Sequence, residues 1–408
     1  MEPDAKDLPE LVRELHRQAT PWVPCGLATR LAWGAPLRQP CMPLSSRALR
    51  GIVEHNPGDF TLTVRAGTPL VEVQEALAHH RQWLAVDWPW GSGPLGAGAG
   101  SVGGLVARGL AGGYRHRHLA IRDQLIGLAL LRADGVAARA GGRVVKNVAG
   151  YDLMRLFCGS WGSLGLITEV TLRTQPLPPA RCGLLVPGAV EALEPVVRWL
   201  LASGLTPERV DWWNAPLAAA AGLGEEPLLL IGLASVSDAS LREQVERIGQ
   251  RSATPCRRVE AEAIPALLAR GRGHLDGGGE DAVAPPDWLL RLGVPCDRVP
   301  ALLARPELDG LAVELAAGSG IGLAWPSPGR ATALEPGRVQ SLRRRCHDLG
   351  GWLTVLRQPR EAQLPAWLDA PSRPLIEAVK RSFDPLGQLA PGRLPGVAHG
   401  LPPAAAPG

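Results

Sequence analysis

The sequence predicts an α+β protein with two domains and a returning C-terminal segment, and three observations support this class. Residues 51–67 and 121–139 read as strand–turn–strand units. After residue 181, strand-like and helix-like segments alternate only loosely, unlike the regular repeat of a parallel α/β sheet. At 408 residues, with 46% hydrophobic residues, the chain is long enough to bury more than one core.

Composition narrows the classes of function. A formal net charge of +4 is small for this length and the arginines are scattered, which argues against nucleic-acid binding. No apolar run approaches the roughly 20 residues of a transmembrane segment, and the acidic N-terminus lacks a signal-like core. The seven cysteines are dispersed and never spaced as Cys-x-x-Cys, so we expect small buried hydrophobes rather than iron–sulfur or zinc ligands. We therefore expect a cytoplasmic protein.

The first elements are short. Residues 8–20 predict a helix, and residues 23–31 predict a strand that enters a turn. In 51–67 an Asn-Pro-Gly-Asp turn separates two strands. Thr68 then predicts a helix cap, with Pro69 at the first helical position of a helix that runs through residue 78 and ends at a histidine pair. The next pair of strands surrounds an Ala-Asp-Gly turn at 133–135.

The window 145–152 concentrates residue types that the chain otherwise rarely uses. Lys146, Asn147 and Tyr151 lie within six positions, although the whole chain has three lysines, three asparagines and two tyrosines. Taken alone, this window is more typical of a strand that leaves through a turn. A short helix ending at Gly159, a glycine-rich turn and an apolar strand over 166–172 follow it. That combination could hold a flat or phosphorylated ligand.

The second half reads as a separate unit. A proline-rich run at 175–180 predicts a domain boundary after residue 178. The strands predicted beyond it are 182–187, 228–235 and 289–294, and the helices are 190–203 and 240–249. Residues 272–286 predict a loop, and the tail after 395 predicts a frayed end.

Two loops are candidates for phosphate binding. Residues 24–30 offer consecutive backbone N–H groups and the Thr29 hydroxyl, the ingredients of an anion nest. Residues 100–104 lead into a helical turn whose N-terminal dipole could face a phosphate. Each alone is more typical of an ordinary tight turn. The dinucleotide pattern G-x-G-x-x-G at 91–96 is rejected, because Pro94 and a glycine–alanine run stand where the helix must start.

Taken in order, these segments resemble the vanillyl-alcohol-oxidase (PCMH-type) FAD-binding proteins, and are most similar to the FAD-binding E subunit of bacterial glycolate oxidase. The family's Lys-Asn-x-x-Gly-Tyr-Asp run and glycine repeat are matched at Lys146, Asn147, Gly150, Tyr151, Asp152, Gly159, Gly162 and Gly165. Its first loop, Pro-x-Gly-x-Gly-Thr, is matched except that Ala28 replaces the second glycine. Gly109 stands where many relatives have asparagine. Its closing Asn-Pro-Gly-Arg survives with alanine in place of asparagine, at residues 390–393.

The resemblance implies a cofactor site. The implied FAD-binding residues are Pro24, Cys25, Gly26, Leu27, Ala28, Thr29, Ser101, Val102, Gly103, Gly104, Gly109, Gly112, Gly162, Gly165, Leu166 and Ile167. No histidine lies in the phosphate loops, so the FAD would be noncovalent.

The resemblance also implies a fold and a function. The fold would be a PCMH-type FAD-binding domain of two α+β subdomains (1–178), a smaller α+β cap domain (179–370) and a C-terminal segment packing back on the FAD domain (371–408). The function would be an oxidoreductase acting on CH–OH groups: the FAD-binding subunit of a glycolate (2-hydroxy acid) dehydrogenase, which forms glyoxylate. Its partners would be a second flavin subunit and an iron–sulfur subunit, through which it could lie peripherally at the inner membrane.

Histidines give little support for a metal. Catalytic relatives carry a histidine-rich metal motif in the second domain, but residues 181–370 contain only His274 and His347. His116 and His118 alternate as metal ligands on a strand could, and a solvated basic loop is the preferred interpretation. We therefore predict no metal site and assign no catalytic residue.

Three hypotheses stay open. The chain binds FAD while a sister subunit holds the substrate; or it is a self-sufficient dehydrogenase in which an arginine such as Arg291 clamps a carboxylate; or it is a scaffold that has lost flavin, as Ala28 and Gly109 would favour. Trp88, Trp90, Trp212 and Trp213 lie outside periodic core patterns, which is typical either of interface residues or of loop anchors packed on the protein's own core.

Overall fold

A computed structural model describes residues 3–87, 100–142, 151–273, 287–327 and 334–398, and it combines helices with mainly antiparallel sheets. The strands are β1 (Trp22–Cys25), β2 (Met42–Ser45), β3 (Ile52–Asn56), β4 (Thr61–Arg65), β5 (Gln82–Trp83), β6 (Leu125–Leu131), β7 (Ala137–Gly141), β8 (Leu166–Arg173), β9 (Gln175–Pro176), β10 (Ala180–Pro187), β11 (Arg209–Trp213), β12 (Leu228–Ser235), β13 (Arg257–Glu260), β14 (Leu289–Gly293), β15 (Leu311–Ala316), β16 (Ile321–Pro326) and β17 (Trp352–Arg357). The helices are α1 (Leu8–Arg17), α2 (Leu70–Ala78), α3 (Val102–Arg108), α4 (Arg115–His118), α5 (Ile121–Gln124), α6 (Met154–Phe157), α7 (Val190–Ala202), α8 (Ala215–Ala220), α9 (Asp238–Gly249), α10 (Ala263–Gly271), α11 (Val299–Leu303), α12 (Pro336–Asp348) and α13 (Arg373–Phe383).

The first half is built on a five-stranded antiparallel sheet in the order β3-β4-β8-β6-β7. The predicted hairpin forms across a 3₁₀ turn at Pro57–Asp59. Leu70, Val73 and Leu77 recur at helical spacing on α2 and are buried in the same cluster as Leu105 of α3 and the sheet. This packing fixes α3 against the sheet.

The second half is built on an eight-stranded antiparallel sheet in the order β13-β10-β12-β11-β15-β16-β14-β17. The central strand β12 coincides with the predicted 228–235 and is apolar and buried along its first six residues, because both faces of the sheet are covered. Helices such as α7 and α9 cover one face. Trp33, Leu110 and Trp161 of the first half join the cluster on the other face.

The proline-rich run separates the two large sheets. β8 ends at Arg173 and β10 begins at Ala180. The predicted boundary after residue 178 falls between them. The division into three domains stays a prediction.

The segment after α13 returns to the first half, as predicted. Leu389 forms a parallel bridge with Trp22, and the Gln388 amide donates to the carbonyls of Leu15 and Thr20 at 2.8 and 3.1 Å. The ammonium group of Lys380, which is buried, donates to the carbonyls of Ser163 and Leu389, each at 2.7 Å, and to the Asp384 carboxylate at 2.6 Å. The Lys380 ammonium group therefore connects α13, the turn after it and the turn at 160–165.

Some element bounds differ from the prediction. The helix predicted over 8–20 ends at Arg17. Thr68 does not cap α2, because Pro69 occupies the cap position and the Thr68 hydroxyl donates to the Arg65 carbonyl at 2.7 Å. The same hydroxyl accepts from the Gly51 N–H at 2.8 Å, so it stabilises the turn before the helix.

The solvated basic loop predicted at 114–118 is wrong. These residues form α4, which packs against β11, and the His118 side chain is only 12% exposed, 3.5 Å from the Glu208 carboxylate. The Tyr114 hydroxyl accepts a hydrogen bond from Arg181 at 3.1 Å. Contacts from the second half partly cover this segment, while Arg117 stays exposed. Sequence spacing does not report such contacts.

The tryptophans on β11 have a different role from the one suggested by their sequence context. Trp212 and Trp213 are each 1% exposed, on opposite faces of the second sheet, so they are core residues rather than partner-binding residues. Trp88 and Trp90 lie outside the described residues. Among the cysteines, Cys182 and Cys346 are buried as predicted, whereas Cys296 is exposed.

A buried ionic network joins the two halves. Arg209, 1% exposed, donates from Nε to the Asp211 carboxylate at 2.6 Å and lies 3.4 and 3.3 Å from the carboxylates of Asp87 and Glu314. Glu314 also pairs with Arg272, and Asp87 accepts a hydrogen bond from the backbone of α4's first turn. Burial raises the pKa of Asp211 to about 7, and the Arg209 charge only partly offsets it. One guanidinium thus holds carboxylates from both halves.

In the part of the chain that the structure describes, no helix is both long enough and apolar enough to cross a membrane.

Candidate functional site

A cleft opens where the loop after β1, helix α3 and the turn before β8 meet. Its atom-free space, including the part open to solvent, is about 900 Å³. The described residues that line it are Pro24, Cys25, Gly26, Leu27, Ala28, Thr29, Arg30, Leu31, Ser46, Gly100, Ser101, Gly103, Gly104, Leu105, Ala107, Arg108, Leu110, Trp161, Gly162, Gly165, Leu166, Ile167 and Arg393. The cleft is therefore lined by three segments that are far apart in sequence: 24–31, 100–110 and 161–167.

The loop after β1 presents unused hydrogen-bond donors to this cleft. Residues 26–29 belong to no helix or strand, and no described residue accepts a hydrogen bond from their backbone N–H groups. Gly26 and Leu27 are half-buried, whereas Ala28 and Thr29 are exposed and can donate to water. Consecutive backbone donors that no described residue uses suit an anionic ligand, and the anion nest stays a prediction.

Ala28 holds a backbone conformation that favours glycine. Its φ is +56°, in the left-handed region. The glycine that the resembling family carries here would adopt this conformation without strain, whereas alanine costs about 1 kcal/mol or more. The loop has therefore kept the shape, and Ala28 lines the cleft.

Helix α3 lines the cleft, but the backbone N–H groups of its first turn already have acceptors. The Ser101 side chain caps the helix by accepting from the Gly104 N–H at 3.2 Å. The N–H groups of Val102 and Gly103 donate to the carbonyls of Thr68 and Ala66 at 3.0 and 2.8 Å. The first-turn donors predicted to face a phosphate are therefore already used. Gly103 is required by packing, since a Cβ there would lie 2.7 Å from the Ala66 Cβ.

The third side of the cleft is the turn that leads into β8. Gly162 has a φ of +73°, and a Cβ on it would come 3.3 Å from the Pro24 ring. The turn therefore packs directly on the loop after β1. Lys380 fixes the same turn from behind through the Ser163 carbonyl.

The charged residues that line the described part of the cleft are all arginines: Arg30, Arg108 and Arg393. Arg108 lies over the Trp161 ring at 4.2 Å and donates to the carbonyls of Arg30 and Trp33 at 2.6 and 3.4 Å. Burial lowers the pKa of Arg108 to about 9, and the neighbouring charges of Arg393 and Arg30 lower it further. Three cations without a lining carboxylate make the cleft strongly attractive to an anion.

Most of the predicted cofactor-binding residues line this cleft. The exceptions are Val102, which is fully buried in the core, Gly109 and Gly112. Gly109 is the left-handed C-cap of α3, with φ +59°, a conformation that asparagine also tolerates. A Cβ on Gly112 would lie 2.7 Å from the Asp87 side chain. Lys146, Asn147 and Gly150 lie outside the described residues, and the Tyr151 side chain is 86% exposed.

Sequence reasoning missed the three arginines as site residues, together with Leu110 and Trp161. Arg30 is the last residue of the predicted phosphate-binding loop at 24–30, so its charge was an available signal. Arg108 is the last residue of α3. Arg393 reaches the cleft only through the returning C-terminal segment, where it donates from Nε to the Ala35 carbonyl at 3.0 Å. That closeness depends on tertiary structure.

The second half offers no metal centre in the described residues: they contain no group of three or more histidine, cysteine, aspartate or glutamate side chains placed to hold an ion. His347 lies on α12, and His274 lies outside the described residues.

Comparison with known proteins agrees with a cleft that attracts an anion. Residues 3–141 match the family described as an FAD binding domain. The chain carries an FAD-binding domain. The residues of the cleft fit the cofactor, because the loop at 26–29 and three arginines line a space that suits an anionic pyrophosphate.

The proteins that are similar to this chain have names that refer to glycolate or another 2-hydroxy acid. Glycolate oxidase subunit GlcE of Escherichia coli strain K12 is 37% identical over 193 residues, 47% of this chain and 53% of that protein. The chain thus spans about half of that relative's length. Subunit GlcD of the same strain is 28% identical over 408 residues, 93% of this chain and 79% of that protein. A D-2-hydroxyglutarate dehydrogenase of Xanthomonas citri pv. viticola is 35% identical over 182 residues, 44% of this chain and 37% of that protein.

A solved alkyldihydroxyacetonephosphate synthase shares the fold, with a TM-score of 0.67 and 13% identity over 96% of this chain and 75% of that one. This confirms the predicted α+β, PCMH-type FAD-binding fold across nearly the whole chain.

Proposed function

We propose that this chain is the FAD-binding subunit of a glycolate (2-hydroxy acid) dehydrogenase complex that passes electrons to a separate iron–sulfur subunit. The observation that carries the proposal is the cleft lined by three arginines and by residues 26–29, whose backbone N–H groups donate to no described residue. The names of the relatives support glycolate or another 2-hydroxy acid as the substrate class.

The residues of this chain divide the work of holding the cofactor. Residues 26–29 and Arg30 would hold the pyrophosphate, and the apolar wall of Leu105, Leu110 and Trp161 would exclude water. Bound FAD would supply the two-electron acceptor for oxidation of the alcohol to the 2-oxo acid. No histidine lies among the described lining residues, so we propose noncovalent binding, which predicts that acid precipitation releases the flavin.

The partners are part of the proposal. Two relatives are named as different subunits of glycolate oxidase in one strain, which supports a complex of several chains. We propose a second flavin subunit and an iron–sulfur subunit, in the cytoplasm, with the partners providing any contact with the inner membrane. A tagged chain purified from its native cell should bring both subunits with it. A chain that is recovered alone, monomeric and active would contradict this assembly.

The isolated, FAD-loaded chain is expected to show little or no glycolate oxidation with an artificial electron acceptor. The reason is that the described residues of the second half hold no histidine cluster to ionise the hydroxyl. Turnover is measured before and after removal of metals with a chelator, with the native complex as the positive control. Substantial turnover by the metal-stripped chain would show that the chemistry resides here.

Ala28→Gly is expected to tighten FAD binding by about fivefold, on the order of 1 kcal/mol. Removing the methyl group lets a phosphate come closer to backbone that already has a glycine-like φ. The dissociation constant is measured by flavin fluorescence. Ala19→Gly is the matched control, because Ala19 has a similar φ of +50° outside the cleft. Equal affinity in all three proteins would contradict the role of Ala28.

A further inference from the structure

Five charged side chains meet in a buried cluster between the two halves. Three of them are carboxylates and two are guanidiniums: Asp87, Asp211, Glu314, Arg209 and Arg272. None of these side chains is more than 7% exposed. With every group in its usual ionisation state, the cluster has three negative charges and two positive charges. Among the described residues, one negative charge therefore has no cationic partner in a space that excludes water.

The neighbouring ionisable groups do not supply the missing positive charge. The Tyr114 ring lies under the Arg209 guanidinium, 5.2 Å from its Cζ, and burial raises the pKa of the Tyr114 hydroxyl. Arg181 is the next cation, and its guanidinium pairs with the Glu208 carboxylate at 2.9 Å. His118 also faces Glu208, at 3.5 Å, rather than the cluster.

On α4, which packs against β11, burial lowers the pKa of His116, so this ring is neutral at neutral pH. The charge balance of the cluster is therefore set by its own five members.

The oxygen that lacks a donor belongs to Asp211. Its Oδ2 accepts a hydrogen bond from the Arg209 Nε at 2.6 Å and lies 2.5 Å from Nη2. Its Oδ1 is buried and has no hydrogen-bond partner among the described residues. A buried charge without full compensation is costly, and a bound proton removes that charge.

The electrostatic environment of Asp211 acts in the same direction. Burial raises the pKa of this carboxyl to about 7, and the Arg209 charge opposes the shift without cancelling it. The carboxylates of Glu314 and Asp87 raise the pKa further, because they disfavour another negative charge nearby.

The charge of Asp211 also bears on the contact between the halves. Gly113 of the first half packs so closely on this carboxylate that a Cβ on it would lie 2.6 Å from Oδ1. A Cβ on the preceding Gly112 would lie 2.7 Å from the Asp87 side chain. The backbone at 112–113 is thus in contact with one carboxylate of each half. Ionisation of Asp211 adds a negative charge at this contact, where the carboxylates repel one another.

We propose that this buried cluster holds one proton at neutral pH, on the carboxyl of Asp211, and that loss of the proton loosens the contact between the two halves. Proton binding requires neither FAD nor a substrate, and it is therefore independent of the proposed function.

The direction of the pH effect follows from linkage. A carboxyl whose pKa is raised in the folded state binds its proton more tightly there than in the unfolded chain, so low pH favours folding. This contribution to stability is fully present below about pH 4, the ordinary pKa of an aspartate, and is lost as the pH rises to about 7.

Thermal unfolding of wild type and Asp211→Asn tests the proton directly, because asparagine keeps the shape and cannot titrate. Between about pH 5 and pH 8, wild type should lose about 3 °C or more of melting temperature relative to this variant. Asp238→Asn is the matched control, since Asp238 is exposed at the start of α9, and it should follow wild type.

Glu314→Gln tests the charge count. It leaves two carboxylates for two guanidiniums, so the same part of the pH dependence should disappear. Its stability should fall at every pH, because Arg272 loses its ionic partner in the cluster. A purely local effect at Asp211 would leave the pH dependence of Glu314→Gln like that of wild type, and this result would contradict the shared charge.

Two further measurements address the proton and the contact separately. The infrared difference spectrum of wild type minus Asp211→Asn, at about pH 6, should contain the carbonyl band of a protonated carboxylic acid. Limited proteolysis of wild type, relative to Asp211→Asn at the same pH, should become about threefold faster between pH 6 and pH 8. Equal pH dependence of melting in the two proteins, the absence of the acid band, or an unchanged ratio of cleavage rates overturns the proposal.

Discussion

Replacing Arg209 by methionine is expected to lower the free energy of unfolding by about 3–5 kcal/mol. The change removes the cation that Asp87, Asp211 and Glu314 share in a buried space, and methionine fills much of the volume without supplying a charge. Three buried carboxylates would then face one another with Arg272 alone to compensate. Asp87 belongs to the first half, and Asp211 and Glu314 belong to the second. Loss of the Arg209 charge should therefore also weaken the contact between the two halves.

Chemical denaturation monitored by tryptophan fluorescence measures the free energy of unfolding. Limited proteolysis shows whether the contact between the two halves has weakened. Arg242→Met is the matched control, since Arg242 is exposed on α9. Arg209→Lys keeps the charge but loses the forked geometry, so its stability should fall between the two. An Arg209→Met protein as stable as the control would show that the network contributes nothing.

Replacing Lys380 by methionine should cost a similar amount, about 3–5 kcal/mol, and should also weaken FAD binding. Asp384 would remain buried with only backbone donors, and the carbonyls of Ser163 and Leu389 would lose their shared donor. The 160–165 turn and the segment that carries Arg393 both reach the cleft, so loosening them should disturb the site.

The neighbouring Arg381→Met provides the control on the same helix, because the Arg381 side chain is 61% exposed. Unfolding free energy and FAD dissociation constant are measured on both variants. If Lys380→Met lost stability but kept full FAD affinity, the coupling between the C-terminal segment and the cleft would be disproved.

Local sequence patterns were enough to predict the elements whose structure depends mainly on neighbouring residues. The hairpin around Pro57–Asp59 and strand β12 were predicted because turn residues and apolar runs mark them directly. Likewise, the cleft loops at 24–29 and 100–104 were found through glycine patterns that the backbone needs for turns and close packing.

The predictions were wrong where contacts between segments distant in sequence determine the structure. The residues of α4 look solvated in sequence, but the second sheet packs over them. Arg393 and Arg108 become neighbours only when the C-terminal segment returns to the first half. Val102 was predicted at the site because it matches the second loop of the resembling family, yet the helical period turns its side chain into the core.

The central claim is that the arginine-lined cleft holds FAD. The most direct measurement is the visible absorbance spectrum of the purified wild-type chain, followed by titration with FAD of protein stripped of any bound flavin. The account predicts a yellow protein that retains or takes up FAD to equimolar saturation and releases it on denaturation. A colourless protein that shows no saturable uptake of FAD would contradict it.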